Sequence, residues 1–129
     1  MPAVFEEIAF RGLLLYGLHR RLRPVPLAIT VGLIFAIFHF ALFRFAGTAF
    51  LGAFFAAATL LTGSIFPSML WHAGNNAASV LAELNGVPLS DLSPECYGIG
   101  LALLAVAFWI LWRNRTPYPG LLQRRSSEM

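Results

Sequence analysis

The stretch Glu6-Glu7-Ile8-Ala9-Phe10-Arg11 constrains this chain most, because it sets two carboxylates and an arginine inside a segment that otherwise reads as membrane-embedded helix. A charged side chain in such a place costs on the order of 2.5 to 3.5 kcal/mol even on insertion scales, so the default reading is a functional site. Glu7 and Arg11 form an i,i+4 pair with the acid on the N-terminal side, the better orientation, and each offsets the desolvation of the other. Glu6 lies about 100° round the helix and is left free. The expectation is therefore Glu7 with Arg11 as a structural pair and Glu6 as a base. The competing reading is a solvated N-terminus over residues 1–7, with acids at a helix start.

Two other apolar segments bear on that choice by carrying polar side chains at helical spacing. Phe35 and His39 lie in one, His72 and Asn76 in the other. Residues four apart share a helix face, so one buried face can hold Glu6, His39, His72 and Asn76 together. Phe35, one turn before His39, can wall the imidazole and keep water from it. A lone histidine in an apolar span is more often a hydrogen-bonded packing residue, and that reading competes for His39 taken alone. Asn75 stands about 100° from Asn76. With Ser79 it reads as a polar contact between helices rather than as part of a site.

Composition identifies the solvent. The chain has 129 residues, 58% of them hydrophobic, and a mean hydropathy of +0.72. Soluble domains run at about 45 to 50% apolar residues, so this is an integral membrane protein. Apolar spans at 3–19, 27–43, 48–62, 68–84 and 99–112 predict an all-α bundle of about five transmembrane helices. A basic loop with two prolines follows the first span, a tight turn is expected at 44–47, a short break at 63–67, and the longest polar loop at 85–98. Small residues from Gly52 to Ala58 suit close helix packing rather than chemistry. The organisation expected is one core over 1–112 and an arginine-rich tail over 113–129. No repeat is visible, and no cleaved signal peptide is expected at this N-terminus.

All nine basic residues are arginines, and the net charge is +3. Arg20, Arg21 and Arg23, and those from Arg113 onward, flank apolar spans as the positive-inside rule requires, which argues against nucleic acid as a partner. With five spans, these two groups fall on one side and Asp91 and Glu95 on the other. Helical rise then places Glu6 and His39 roughly 20 Å from the basic face and His72 roughly 10 to 14 Å from it. The single cysteine, Cys96, excludes an intramolecular disulfide and a cysteine-based zinc site.

A carboxylate, two imidazoles and an amide in a dry cavity suit hydrolysis by activated water. Glu6 takes the water proton, His39 orients the water, and donors from His72 and Asn76 stabilise the oxyanion. No serine or cysteine holds a comparable position, which disfavours a covalent intermediate. Zinc is the competing catalyst, since two histidines and a glutamate can ligate it. The histidines lie on different helices without the H-E-x-x-H arrangement, so metal-free activation is the preferred expectation and no cofactor is assigned.

Glu6-Glu7-x-x-x-Arg11, Phe35-x-x-x-His39 and His72-x-x-x-Asn76 resemble, in order, the three motifs of the CAAX prenyl protease and bacteriocin-processing (CPBP, Abi) family of intramembrane proteases. The resemblance implies a polytopic endopeptidase in which the first glutamate and the second-motif histidine activate water. The third-motif histidine and asparagine then form the oxyanion site. These map to Glu6, His39, His72 and Asn76, with Glu7, Arg11 and Phe35 in support. It also implies spans ahead of the first motif, which leaves three readings of this chain: the C-terminal part of a larger bundle, a mis-assigned start, or a minimal form. Members are often labelled metalloproteases. The expected setting is a multi-pass protein of the plasma membrane, its partners the lipid bilayer and a peptide or protein substrate arriving from the membrane or its surface. Two alternatives stand beside this: an inactive member serving as a bacteriocin-immunity or binding factor, and a proton or ion relay through Glu6 and the histidines.

Overall fold

The computed structural model describes residues 2–40, 42–86, 93–116 and 118. Among these, all regular structure is helical: α1 Pro2–Glu7, a π-helix Ile8–Leu14, α2 Leu15–Leu18, α3 Pro24–Phe38, a 3-10 turn Leu42–Arg44, α4 Phe45–Thr62, α5 Phe66–Leu84 and α6 Pro94–Arg113. The all-α expectation is met. Large apolar side chains such as Phe5, Leu13, Phe43, Phe66 and Leu70 point outward, as they do in a bundle whose solvent is lipid.

The first three elements form one helical rod. Its buried positions Ala3, Glu7, Arg11, Leu15 and His19 recur every fourth residue. In an α-helix a strict four-residue repeat drifts by about 40° per step. The wider turns of the π-helix, closed by the Leu15 N–H on the Phe10 carbonyl, absorb that drift and keep the stripe on one face.

Pro24 and Pro26, expected in a loop, instead open α3. A proline at a helix start loses no hydrogen bond and has its φ preset, while Arg23 before it is extended, at ψ 159°. The other end also moves: α3 stops at Phe38, not at residue 43, and Gly47 lies inside α4 rather than in a turn. The reversal occurs at His39 and at Phe40, whose φ is +49°. His39 is the cause we identify. Its backbone N–H reaches Ala36 O, and its ring takes the Phe35 carbonyl that a further helical turn would have used.

Among the described residues, helices α3 and α4 pack backbone to backbone. A Cβ on Gly32 would sit 2.5 Å from Ala49 O and 2.6 Å from Ala53 N, and one on Gly52 would sit 3.0 Å from Gly32 Cα. Gly32→Ala therefore pushes backbone against backbone. We expect it to destabilise the protein by roughly 1 to 3 kcal/mol, the usual range for overpacking. A thermal melt in detergent measures this, with Gly47→Ala, which has open space around it, as the control. Unchanged melting in Gly32→Ala would contradict the packing described.

Helix α4 ends at Gly63, whose φ of +66° is the left-handed cap that glycine adopts freely. The chain re-enters as α5, tied to α4 where the Thr59 hydroxyl meets Ser68 Oγ at 3.2 Å. Because Ser68 donates to the Ile65 carbonyl, Thr59 is the donor between them. Ser68 is buried, and one turn later stands His72. Helix α6 rests on α4 through Phe108 and Phe54, 5.9 Å apart. The following segment turns back, with Thr116 Oγ1 donating to Thr62 O at 2.6 Å and Tyr118 edge-on to His19.

Among the described residues one helical stretch, Leu42–Thr62, suffices by length and composition to cross a membrane. Helix α3 and the apolar part of α6, Gly98–Arg113, are shorter. Pro88 and Asp91 of the expected long loop, and most of the expected tail, lie outside the described residues. Pro94 to Gly98, expected in that loop, form the first turns of α6.

Candidate active site

Arg11 is the centre from which the polar cluster is built. It is buried against Phe35, Phe55 and Phe10, with its guanidinium carbon 4.6, 5.3 and 5.9 Å from their ring centroids. One terminal nitrogen donates to Glu7 Oε1 at 2.8 Å and the other to the Gly52 carbonyl at 2.9 Å. Both charged side chains are fully enclosed. Such a pair persists only when geometry and added hydrogen bonds offset desolvation. The close approach of α4 at Gly52 supplies one such bond, and three aromatic rings supply cation–π contact.

Glu7 does more than the sequence showed. Its Oε1 also lies 2.9 Å from His72 Nδ1. Arg11 and His72 share one carboxylate oxygen, which accepts from the guanidinium and from His72 Nδ1. The imidazole is further held by Phe55, stacked at 5.3 Å, and by Phe35, edge-on at 5.7 Å. His72 Nε2 is thereby aimed in one direction, toward Glu6.

His39 is fixed independently. At the C-terminal end of α3 its Nδ1 donates to the Phe35 carbonyl at 2.8 Å, and its ring lies against Phe35 at 4.3 Å. Phe35 is thus the wall expected for His39, and it also contacts His72 and Arg11. Glu6 Oε2 stands 3.6 Å from His39 Nε2 and 3.6 Å from His72 Nε2. Three helices meet at that one oxygen.

Exposure divides the group. The side chains of Glu6 and His39 are 28% and 34% exposed, whereas that of His72 is 4% exposed. The group opens on the Glu6 and His39 side, with His72 forming the closed wall, and Glu6 Oε2 itself is buried between them. Glu6 Oε2 accepts no hydrogen bond from the described residues. Asn76 lies one turn beyond His72 on α5, half-buried, and Asn75 is exposed.

Of the residues expected from sequence, Glu6, Glu7, Arg11, Phe35, His39 and His72 are brought into one cluster. Asn76 borders it through its place on α5, its side chain making no hydrogen bond to another described residue. Sequence reasoning missed the Glu7 to His72 bond and the part played by α4, to which it assigned packing alone. Gly52 contributes a carbonyl and Phe55 a stacking face. The small-residue run around Gly52 was the available signal, since close backbone approach is what lets a carbonyl reach a buried guanidinium.

No solved structure and no curated protein matches the chain. The family pattern described as type II CAAX prenyl endopeptidase Rce1-like matches residues 1–78, a stretch that includes Glu6, Glu7, Arg11, Phe35, His39, His72 and Asn76. That match covers more than half of the chain, and every side chain of the cluster built around Arg11 lies within it: the protein belongs to the type II CAAX prenyl endopeptidase Rce1-like family of membrane-embedded proteins.

Proposed function

We propose that this chain is an intramembrane endopeptidase that hydrolyses a peptide bond with water activated by Glu6 and His39. The observation that carries the reading is Glu6 Oε2 placed 3.6 Å from both imidazole Nε2 atoms. With Nδ1 committed to the Phe35 carbonyl, neutral His39 presents an Nε2 lone pair. A water at this corner donates one hydrogen to His39 and loses the other to Glu6 as its oxygen attacks the scissile carbonyl. His72, held on Glu7 through Nδ1, and the Asn76 amide are the donors to the oxyanion. Collapse breaks the C–N bond, and the proton on Glu6 passes to the leaving amine. The substrate is a peptide or protein arriving from the membrane or its surface. The chain sits as a multi-pass protein with about five spans, in the plasma membrane, its core ending near residue 112.

Asn76 tests the oxyanion assignment. Asn76→Ala is expected to lower kcat by about 100 to 1,000-fold, roughly 2.7 to 4 kcal/mol, with KM barely changed. Asn75→Ala, exposed on the same helix, is expected to leave both constants near those of the unsubstituted chain. The assay is cleavage of peptide libraries by the purified chain in proteoliposomes, followed by mass spectrometry. Equal losses in the two variants would remove Asn76 from the site. Proton flux without cleavage would favour the relay reading, and binding without cleavage the immunity reading.

Zinc is tested separately. The reading stays metal-free because the two histidines lie on different helices without the H-E-x-x-H arrangement. Activity is expected to survive exhaustive dialysis against a strong chelator, with no stoichiometric zinc by elemental analysis. Loss that zinc alone restores would make His39 and His72 ligands.

A further inference from the structure

Far from Glu6, the last turn of α6 carries a feature that peptide hydrolysis does not use. The Arg113 guanidinium lies 5.2 Å from the Trp109 ring and that of Arg115 lies 4.7 Å from the Trp112 ring. Beside them opens a cleft of about 380 Å³ lined by Trp109, Ile110, Arg113 and Asn114. Asn114 closes its floor by donating Nδ2 to the Ile110 carbonyl at 2.9 Å. Among the described residues neither arginine is paired with a carboxylate.

Stacking on an indole engages the flat face of a guanidinium and leaves its N–H edge free, and that edge is the part that matches the oxygens of a phosphate. Both indoles are about half-exposed, the position of residues that sit at headgroup level with their rings toward lipid. Positive charge converges on the same end of the bundle. Thr116 bonds Thr62 at the end of α4, and Tyr118 meets His19, the residue that leads into Arg20, Arg21 and Arg23.

The geometry points to a binding site for the phosphate of an anionic phospholipid headgroup at Trp109, Arg113, Asn114 and Arg115. It rests on the placement of α6 across the bilayer and is independent of the hydrolytic reading. Its role is to hold the end of α6 at the basic face while the apolar part of the helix lies in the chains.

The test uses the full chain with Trp71→Phe, which leaves Trp109 and Trp112 as the reporters. It is reconstituted in phosphatidylcholine vesicles holding a small fraction of either dibrominated phosphatidylglycerol or dibrominated phosphatidylcholine. Phosphatidylglycerol is expected to quench the tryptophans preferentially, by about fivefold in relative binding constant for each arginine, and less so in high salt. Arg113→Gln with Arg115→Gln is expected to abolish the preference, and Arg44→Gln, at the other end of α4, to preserve it. Equal quenching by the two lipids in the chain with both arginines would overturn the site, and this comparison needs no arginine variant to fold. A preference lowered by inorganic phosphate more than by chloride of equal ionic strength would show that the site takes the free anion and would overturn the lipid assignment. Quenching by neither lipid would overturn the placement of α6 along with the site, while peptide cleavage would stand unaffected.

Discussion

Glu6→Gln is expected to lower peptide hydrolysis by about 100 to 10,000-fold, the usual contribution of a positioned general base. The change keeps size and shape but removes the proton acceptor. Glu6 is the partly exposed member of the acid pair, and its Oε2 accepts nothing from the described residues. Folding should therefore be spared, with a thermal midpoint near that of the unsubstituted protein. His39→Gln is expected to follow it in rate, because the two act on one water, and the double variant should lose little beyond either single one. Multiplicative losses would show that they act on different steps. A purified Glu6→Gln variant that cleaves at the original rate would end the assignment of Glu6 as base.

Glu7→Gln is expected to cost both stability and activity, for separable reasons. Removing one partner of a buried ion pair typically costs about 3 to 5 kcal/mol, because the remaining charge is stranded. Here Arg11 would lose its counter-charge at residue 7 and keep only neutral partners there, an amide oxygen beside the Gly52 carbonyl and its aromatic neighbours. The same change puts a neutral amide oxygen where His72 Nδ1 had a carboxylate, so the contact that aims Nε2 at Glu6 is weakened. The double variant Glu7→Gln, Arg11→Met separates the two effects. Replacing a buried pair by apolar groups of similar volume is often neutral in stability, so melting should recover. Activity should recover less, because His72 Nδ1 then faces a neutral amide oxygen in place of the carboxylate. Recovery of kcat together with stability would reduce Glu7 to a structural partner of Arg11.

Much of the cluster was legible because charge inside an apolar chain has few explanations. Glu7 with Arg11 followed from i,i+4 spacing, and the structure shows that bond at 2.8 Å. Phe35 with His39 share a face for the same reason. Whether Glu6, His39 and His72 meet could be argued only from helical rise. The Glu7 to His72 bond was not visible, because 65 residues separate the two and no local pattern records which oxygen a distant imidazole will choose. The π-helix was equally hidden: residues 8–14 carry no composition that distinguishes i→i+5 from i→i+4 pairing, and the four-residue burial stripe is known only once a partner surface buries it.

Helix ends divide along similar lines. Pro24 and Pro67 mark starts because proline acts within its own turn. The stop after Phe38 has no such local cause, since His39 to Phe43 is apolar apart from the imidazole and continues the preceding pattern. That boundary belongs to His39, whose ring takes the Phe35 carbonyl and faces Glu6.

The amino-acid sequence by itself determined the class and the membrane setting and singled out the polar residues: apolar spans require helices, embedded charge requires partners, and the motif positions name a carboxylate, two imidazoles and an amide. Tertiary structure alone decided which faces meet. Helix α3 is apolar nearly all round, so hydrophobicity could not orient it. The choice fell to shape, because backbones approach most closely where Gly32 and Gly52 lack side chains. Once those two helices touch there, the Gly52 carbonyl reaches Arg11, Arg11 holds Glu7, and Glu7 turns His72 toward Glu6.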